Sequence, residues 1–338
     1  MIGKQSVKFD KGIYIEATAT VVSQKEHEGP LGSLFDVVVE DPMASQENWE
    51  KAESKLQEMA VDKLFMKSSY KKEDVRYIFA GDLLGQLIAT SFGLKRYDIP
   101  IFGLYGACST FAEGLSLAAI TISSGAADNV IALASSHFAS AEKQFRFPLE
   151  YGNQRPESST WTVTGCGAAM VTKNKTPIRI SGITTGKIVD YGVKDSMNMG
   201  ACMAPAAADL IETNLHDFGV DVNFYDQIIT GDLGTVGRTI LIDLLAEKGI
   251  RIQNRFMDCG IEIYDSESQD TKAGGSGCGC SAVTFGSYII NNLMSGKWNR
   301  VLFIPTGALL STVSYNEGES VPGIAHGVVV ERSSEWNL

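Results

Sequence analysis

The sequence predicts an α/β fold assembled from two similar halves, residues 1–175 and 176–338. Three observations carry this. An apolar strand running into Gly-Asp-Leu occurs twice, in "VRYIFAGDLLG" (75–85) and in "YDQIITGDLG" (225–234). Each is followed by a Gly-Cys turn, "GACST" (106–110) and "GCGCSA" (277–282), that opens an apolar helix ending in Ser-Gly, at Ser124-Gly125 and Ser295-Gly296. A strand then follows each helix at matched spacing, with ten residues from Gly125 to Ser135 and from Gly296 to Thr306. A repeat of about 150–170 residues is far too long for a solenoid and predicts two units about a pseudo-twofold axis. The 34 glycines suit the many tight strand–helix turns of such a fold.

The first element with a helical period spans about 44–66, with Trp49, Ala52, Leu56, Met59, Ala60 and Phe65 facing inward; Asp41 before Pro42, or Ser45, is its candidate N-cap. The first repeat helix, about 109–124, places Phe111, Leu115, Ala118 and Ile122 on one face. Leu117, Ala119 and Ile120 make its other positions apolar too, and a helix apolar all round is expected at the centre of a large core. The second, about 281–294, carries Phe285, Ile289, Ile290, Leu293 and Met294 and is expected beside it. The stretch 140–160 is polar and reads as a long loop over a site.

Composition narrows the function. A net charge of −11 argues against a broad nucleic-acid surface and against unaided binding to an anionic membrane. The six cysteines are scattered, the N-terminal stretch "MIGKQSVKFDKGIYIEA" has no apolar core of a signal peptide, and no run of about 18 apolar residues occurs. The expectation is an intracellular chain with reduced thiols and no transmembrane segment. The pair "CGC" at 278–280 lacks the second pair of a zinc site, and neither metal nor cofactor is expected.

Cys108 is the candidate reactive residue. A thiol at a helix N-terminus meets unpaired N–H groups and the positive end of the dipole, which favour a thiolate and can form an oxyanion hole. The bland alternative is a small apolar filler. The surrounding "GACSTFAEGLSLAAITISSGAADNVIALASSH" resembles the nucleophile segment of the ketoacyl synthase III branch of the thiolase superfamily. That resemblance implies a five-layer αβαβα thiolase-like fold and a homodimer. It also exposes departures. Where the synthase branch has a His-Gln-Ala-Asn turn this chain reads "TGDLGTVG" (230–237). Where that branch has Gly-Asn-Thr it reads "GGSGCGCSA" (274–282), and near the last strand, where thiolases carry a second reactive Cys, it reads "IPTGALL". Of four histidines, His27 and His216 have polar contexts, His326 precedes the last strand, and His137 follows the first central strand, where it could overhang a pocket. Condensation needs electrophilic groups that stabilise an enolate, and these turns supply no His or Asn.

The departures themselves, "GDLGTVGR", "AGGSGCGCSAVTFGSYIINNLMSGKWNRVLFIPTGALLS" and "KDSMNMGACMAPAA", resemble the stage V sporulation protein AD family of spore-forming bacteria. This implies non-catalytic binding of dipicolinic acid (pyridine-2,6-dicarboxylate), alone or as its calcium chelate, for transport into the developing spore and release at germination. It also implies membrane proteins of the same operon as partners and a peripheral place on the spore inner membrane. The expected site lies beside Cys108. One carboxylate takes the amides at Cys108, Ser109 and Thr110, as anions do at helix N-termini. Gly275, Ser276 and Gly277 of the facing turn approach closely, with Cys278 and Cys280 on that wall. The second carboxylate takes His137 first, then Arg146, Arg155 or Lys143. Asp232 repels a free dianion unless calcium bridges it. The alternative is an acyltransferase or condensing enzyme of the synthase III type using Cys108, with His137 as base.

Overall fold

The computed structural model describes residues 1–145 and 154–333. In chain order its strands are β1 (Ser6–Lys8), β2 (Tyr14–Ser23), β3 (Val37–Val39), β4 (Tyr77–Gly81), β5 (Ile101–Gly103), β6 (Asn129–Ser136), β7 (Trp161–Thr162), β8 (Gly165–Thr172) and β9 (Ile178–Thr184). There follow β10 (Gln227–Thr230), β11 (Phe256–Asp258), β12 (Gly275–Ser276), β13 (Arg300–Ile304), β14 (Thr306–Ala308), β15 (Gly323–Ala325) and β16 (Gly327–Arg332). The main sheet has the order β11-β10-β13-β16-β9-β2-β8-β6-β4-β5. It reads the same from both ends. Three parallel strands (β5, β4, β6) and an antiparallel pair (β8, β2) are answered by three parallel strands (β11, β10, β13) and an antiparallel pair (β16, β9).

The strands that are buried on both faces explain the layering, because alternate residues serve different cores. In β6, Val130, Ala132 and Ala134 enter a central core while Ile131 and Leu133 enter an outer one. In β13, Val301 and Phe303 face the central core while Leu302 and Ile304 face a second outer one. The central core holds the helix Thr110–Ser124 and the helical run from Cys278 to Met294. They touch directly, Phe111 meeting Phe285 edge-on at 5.4 Å between ring centroids. The outer cores are closed by the helix Trp49–Lys67 on one side and by Met199–Phe218 with Gly234–Glu247 on the other. The class is α/β with a five-layer, thiolase-like arrangement.

Several expectations need correction. The helix near 44–66 begins at Trp49, and its cap is Asn48, whose Oδ1 accepts from Lys51 N at 2.9 Å. Asp41 instead closes the preceding turn by accepting from Met43 N and Ser45 N. Trp49 itself is exposed, and the buried face includes Glu53 and Gln57. These polar side chains tolerate burial because hydroxyls meet them: Ser135 and Ser140 donate to Glu53 at 2.8 and 2.7 Å, and Gln57 donates to Thr90 and Ser135. Burial, with Asp82 nearby, pushes the Glu53 carboxyl up to about 8. The first central helix is not buried all round, since Ile120 is 42% exposed; nor is the second, since Met294 is 49% exposed. The second helix starts at Cys278 and passes through a π-helical turn at Phe285–Ile289. There Thr18 Oγ1 donates to the Gly286 carbonyl at 2.7 Å. The stretch 140–160 is not all loop: a helix occupies Phe138–Phe145.

Candidate functional site

The site forms at the carboxyl ends of the parallel strands, where open α/β sheets place their ligands. β4 ends in Gly81-Asp82, β6 in Ser136-His137, β10 in Thr230-Gly231-Asp232 and β13 runs into Pro305 and β14. Into this rim the turn after β5 delivers Cys108. Ala107 sits at φ 50°, a left-handed conformation that costs a non-glycine residue roughly 1–2 kcal/mol. It breaks the line between Gly106 and the helix and sets the thiol off the helix start. Opposite, Gly277 has φ 100°, and a Cβ there would lie 2.6 Å from Ser136 Oγ, so only glycine lets the two walls close.

Between them is a cavity of about 260 Å³. Cys108, Ser276 and Gly277 line it, as expected. The remaining wall is mostly apolar, with Leu83, Tyr105, Phe145, Met199 and Leu310, and Thr160 and Thr162 join it from β7 and the residue before. Period-2 alternation in "STWTVT" could have revealed the last two, since Trp161 between them points to the opposite side. The apolar wall comes from five separate chain segments and has no local signal. No Lys, Arg or His lines this cavity among the described residues.

Other predicted residues pack behind the wall or elsewhere. Ser109 and Thr110 spend their hydroxyls on the turn, donating to Gly106 O at 2.6 Å and Ala107 O at 2.7 Å. Gly275 pairs with Trp161 between β12 and β7. Cys278 donates its thiol to Ala107 O at 3.0 Å, and Cys280 directs its own at Gly231 O at 3.5 Å. His137 is not over the cavity. Its Nε2 donates to Pro42 O at 2.8 Å, its Nδ1 accepts from Ala139 N at 3.1 Å, and it lines a separate cavity with Trp49, Phe138 and Trp161. Burial keeps it below its ordinary pKa and so neutral. Arg155 also lies outside, bonded to Asp270 at 2.8 Å and stacked on Trp161 at 4.9 Å. Lys143 is exposed, and Arg146 falls outside the described residues.

Asp232 is beneath the floor, 1% exposed. Its Oδ2 accepts from Gly277 N at 3.0 Å and its Oδ1 from Thr306 Oγ1 at 2.8 Å, and the Cys108 thiol faces it. Asp82, at the equivalent Gly-Asp-Leu of the first half, does a different job: it accepts from Leu84 N, Thr90 N and Thr90 Oγ1 and ties β4 to the helix Ile88–Leu94. Burial first, then the Asp232 charge, raises the Cys108 thiol well above its ordinary range. Here desolvation and a facing carboxylate outweigh the helix terminus that the sequence pointed to. The expected result is a thiol that alkylates poorly. Iodoacetamide at pH 8, followed by mass spectrometry, should label Cys108 at least about 100-fold more slowly than the unfolded chain; labelling at the unfolded-chain rate would contradict a protonated thiol.

The five layers, the inward-facing helix pair and a cysteine beside the first helix start define a thiolase-like fold. Comparison agrees. 3-Oxoacyl-[acyl-carrier-protein] synthase III from Aquifex aeolicus VF5 superposes with a TM-score of 0.58 at 14% identity, covering 95% of this chain and 100% of that one. The Acat5 thiolase from Ascaris suum, solved in complex with coenzyme A, gives 0.59 at 11% identity, covering 96% and 100%. The family model for stage V sporulation protein AD (SpoVAD) matches residues 3–331. Stage V sporulation protein AD of Bacillus subtilis (strain 168) is 42% identical over 333 residues, 98% of each chain. The chain belongs to the stage V sporulation protein AD family.

Proposed function

We propose that this protein binds dipicolinic acid without transforming it, in the cavity beside Cys108, alone or as its calcium chelate. Bound ligand is passed to and from membrane proteins of the same sporulation operon, into the developing spore and out at germination. The observation that carries the non-catalytic reading is the setting of Cys108: burial and the Asp232 charge hold its thiol protonated, and no His or Asn among the described residues lines the cavity to stabilise an enolate. The alternative of an acyl-enzyme cycle needs His137 beside the thiol, and its ring nitrogens are engaged with Pro42 and Ala139 in another cavity. Membership of a sporulation family supports the ligand, and so does a mostly apolar cavity with hydroxyls at Thr160, Thr162 and Ser276 that suit a flat ring with polar edges.

No helix among the described residues is long and apolar enough to cross a membrane, which suits a peripheral position reached through protein partners. The edge strand β5, with Ile101 and Phe102 exposed, supports a homodimer; light scattering giving the monomer mass at micromolar concentration would count against it. The main test is calorimetric titration of the full chain with sodium dipicolinate, with and without calcium. Saturable binding at one site per chain is the expected result. Absence of binding, or turnover of acyl-CoA that disappears in Cys108→Ala, would overturn the reading.

A further inference from the structure

The cavity beside Cys108 presents an anion with an electrostatic problem. Among the described residues it is lined by no cationic side chain. Its floor is made by Cys108 and Gly277, and immediately behind both sits the Asp232 carboxyl, held by Gly277 N and Thr306 Oγ1. A dicarboxylate in this cavity and an ionised Asp232, itself buried, would be two like charges separated by one thiol.

We infer that Asp232 is protonated whenever a dicarboxylate occupies the cavity, so that ligand binding takes up a proton and strengthens as pH falls. This rests on the ligand reading above. Without ligand, the carboxyl is already poised: burial, with Asp258 nearby, pushes it up to about 7 against the three donors that lower it. An anion above the thiol raises it further. The sign follows from linkage. Above the free-state value the empty site has lost its proton and the occupied site keeps it, so affinity falls roughly tenfold for each unit of rising pH. Below about 6 both states hold the proton and affinity is level.

Other titratable groups face Asp232 from each element around it. Cys108 comes from the turn before the first central helix, Cys278 and Cys280 from the start of the second, and Asp258 and Cys259 from the end of β11 and the turn beyond. The thiols are all raised well above their ordinary values by burial and stay neutral through this range. Asp258 is directed away, accepting from Thr230 Oγ1, Leu233 N, Gly234 N and Ile261 N. On the ligand side stand Tyr105, raised by burial, and Glu142 on the opposite wall. Glu142 is therefore the competing site for the proton taken up.

The experiment is calorimetry of the full chain with sodium dipicolinate from pH 6 to 8.5, in two buffers of different ionisation enthalpy, alongside the uncharged pyridine-2,6-dicarboxamide. The expected result is proton uptake approaching one per site near pH 8, a roughly tenfold loss of affinity per unit above 7, and no such slope for the diamide. Asp232→Asn should flatten the slope and bind dipicolinate at least about tenfold more tightly than wild type at pH 8. Its fold is checked by circular dichroism, and wild-type proton uptake stands independently if that variant unfolds. Affinity independent of pH, without proton uptake, overturns the inference and leaves the ligand reading intact. A slope that survives Asp232→Asn but disappears in Glu142→Gln also overturns it. No binding at any pH removes the ligand reading and the inference together.

Discussion

Replacing Cys108 by Trp lowers dipicolinate affinity by at least about 100-fold, a loss of about 2.7 kcal/mol, while the chain stays folded. The Cys108 side chain is only 7% exposed, and what little shows is the cavity floor. Behind it the space is taken by Asp232, Gly277 and Cys278, so an indole cannot retreat. It must rise into a cavity of about 260 Å³ and displace the ligand. Calorimetry and a thermal melt on the same sample check both halves of the claim. Unchanged affinity in a folded variant would move the ligand to another part of the molecule, the cavity lined by His137 and Trp161 being the next place to look.

The largest effect on stability is expected from Phe111→Ala, about 3–5 kcal/mol of destabilisation. Phe111 is fully buried and stands where the two central helices and the sheet meet, with Phe285 at 5.4 Å and Phe303 at 6.3 Å between ring centroids. Truncation removes the ring contacts between the two halves, and the fully buried Phe285 and Phe303 beside the gap have little freedom to collapse into it. Urea denaturation should show the shift in midpoint with an unchanged slope. A loss under about 1 kcal/mol would mean that the central core repacks.

Local pattern explains which features were legible in the sequence. The paired helices, their starting cysteines and the strands that end in Gly-Asp-Leu are each written in a few consecutive residues, and the structure brings the helices together as expected. The site was half legible for the same reason. Cys108, Ser276 and Gly277 belong to turns whose backbone geometry demands particular residues, and they do line the cavity. Asp232 was visible as an awkward charge but not as the group beneath the thiol. His137 and Arg155 failed because chain proximity says nothing about which side of a wall a residue faces. His137 follows β6 directly, yet its ring turns to Pro42 and Trp49, and Arg155 finds Asp270 and Trp161, both set by long-range packing. The polar face of the helix Trp49–Lys67 misled for a related reason: Glu53 and Gln57 are buried because hydroxyls from Ser135, Ser140 and Thr90 meet them, and those partners lie far along the chain.

The position of β2 has a kinetic consequence. It is the strand through which the two halves of the sheet are joined, yet apart from the short β3 at its end its neighbours are β8 and β9, with Thr20 opposite Gly167 and Tyr14 opposite Arg179. On the ribosome, β2 emerges early and must wait for about 150 further residues before β8 and β9 appear, roughly 8–30 s at ordinary rates of elongation. Through that interval Ile15, Ala17 and Ala19, all buried in the finished protein, have no strand to join, since β3 pairs only with Val21–Ser23. Closing so long a loop is entropically costly, and pairing of such high contact order is slow. Newly made chains should therefore depend on chaperones that shield an unpaired N-terminal strand. Refolding in the test tube should have a late phase in which β2 acquires amide-exchange protection after the helices have formed.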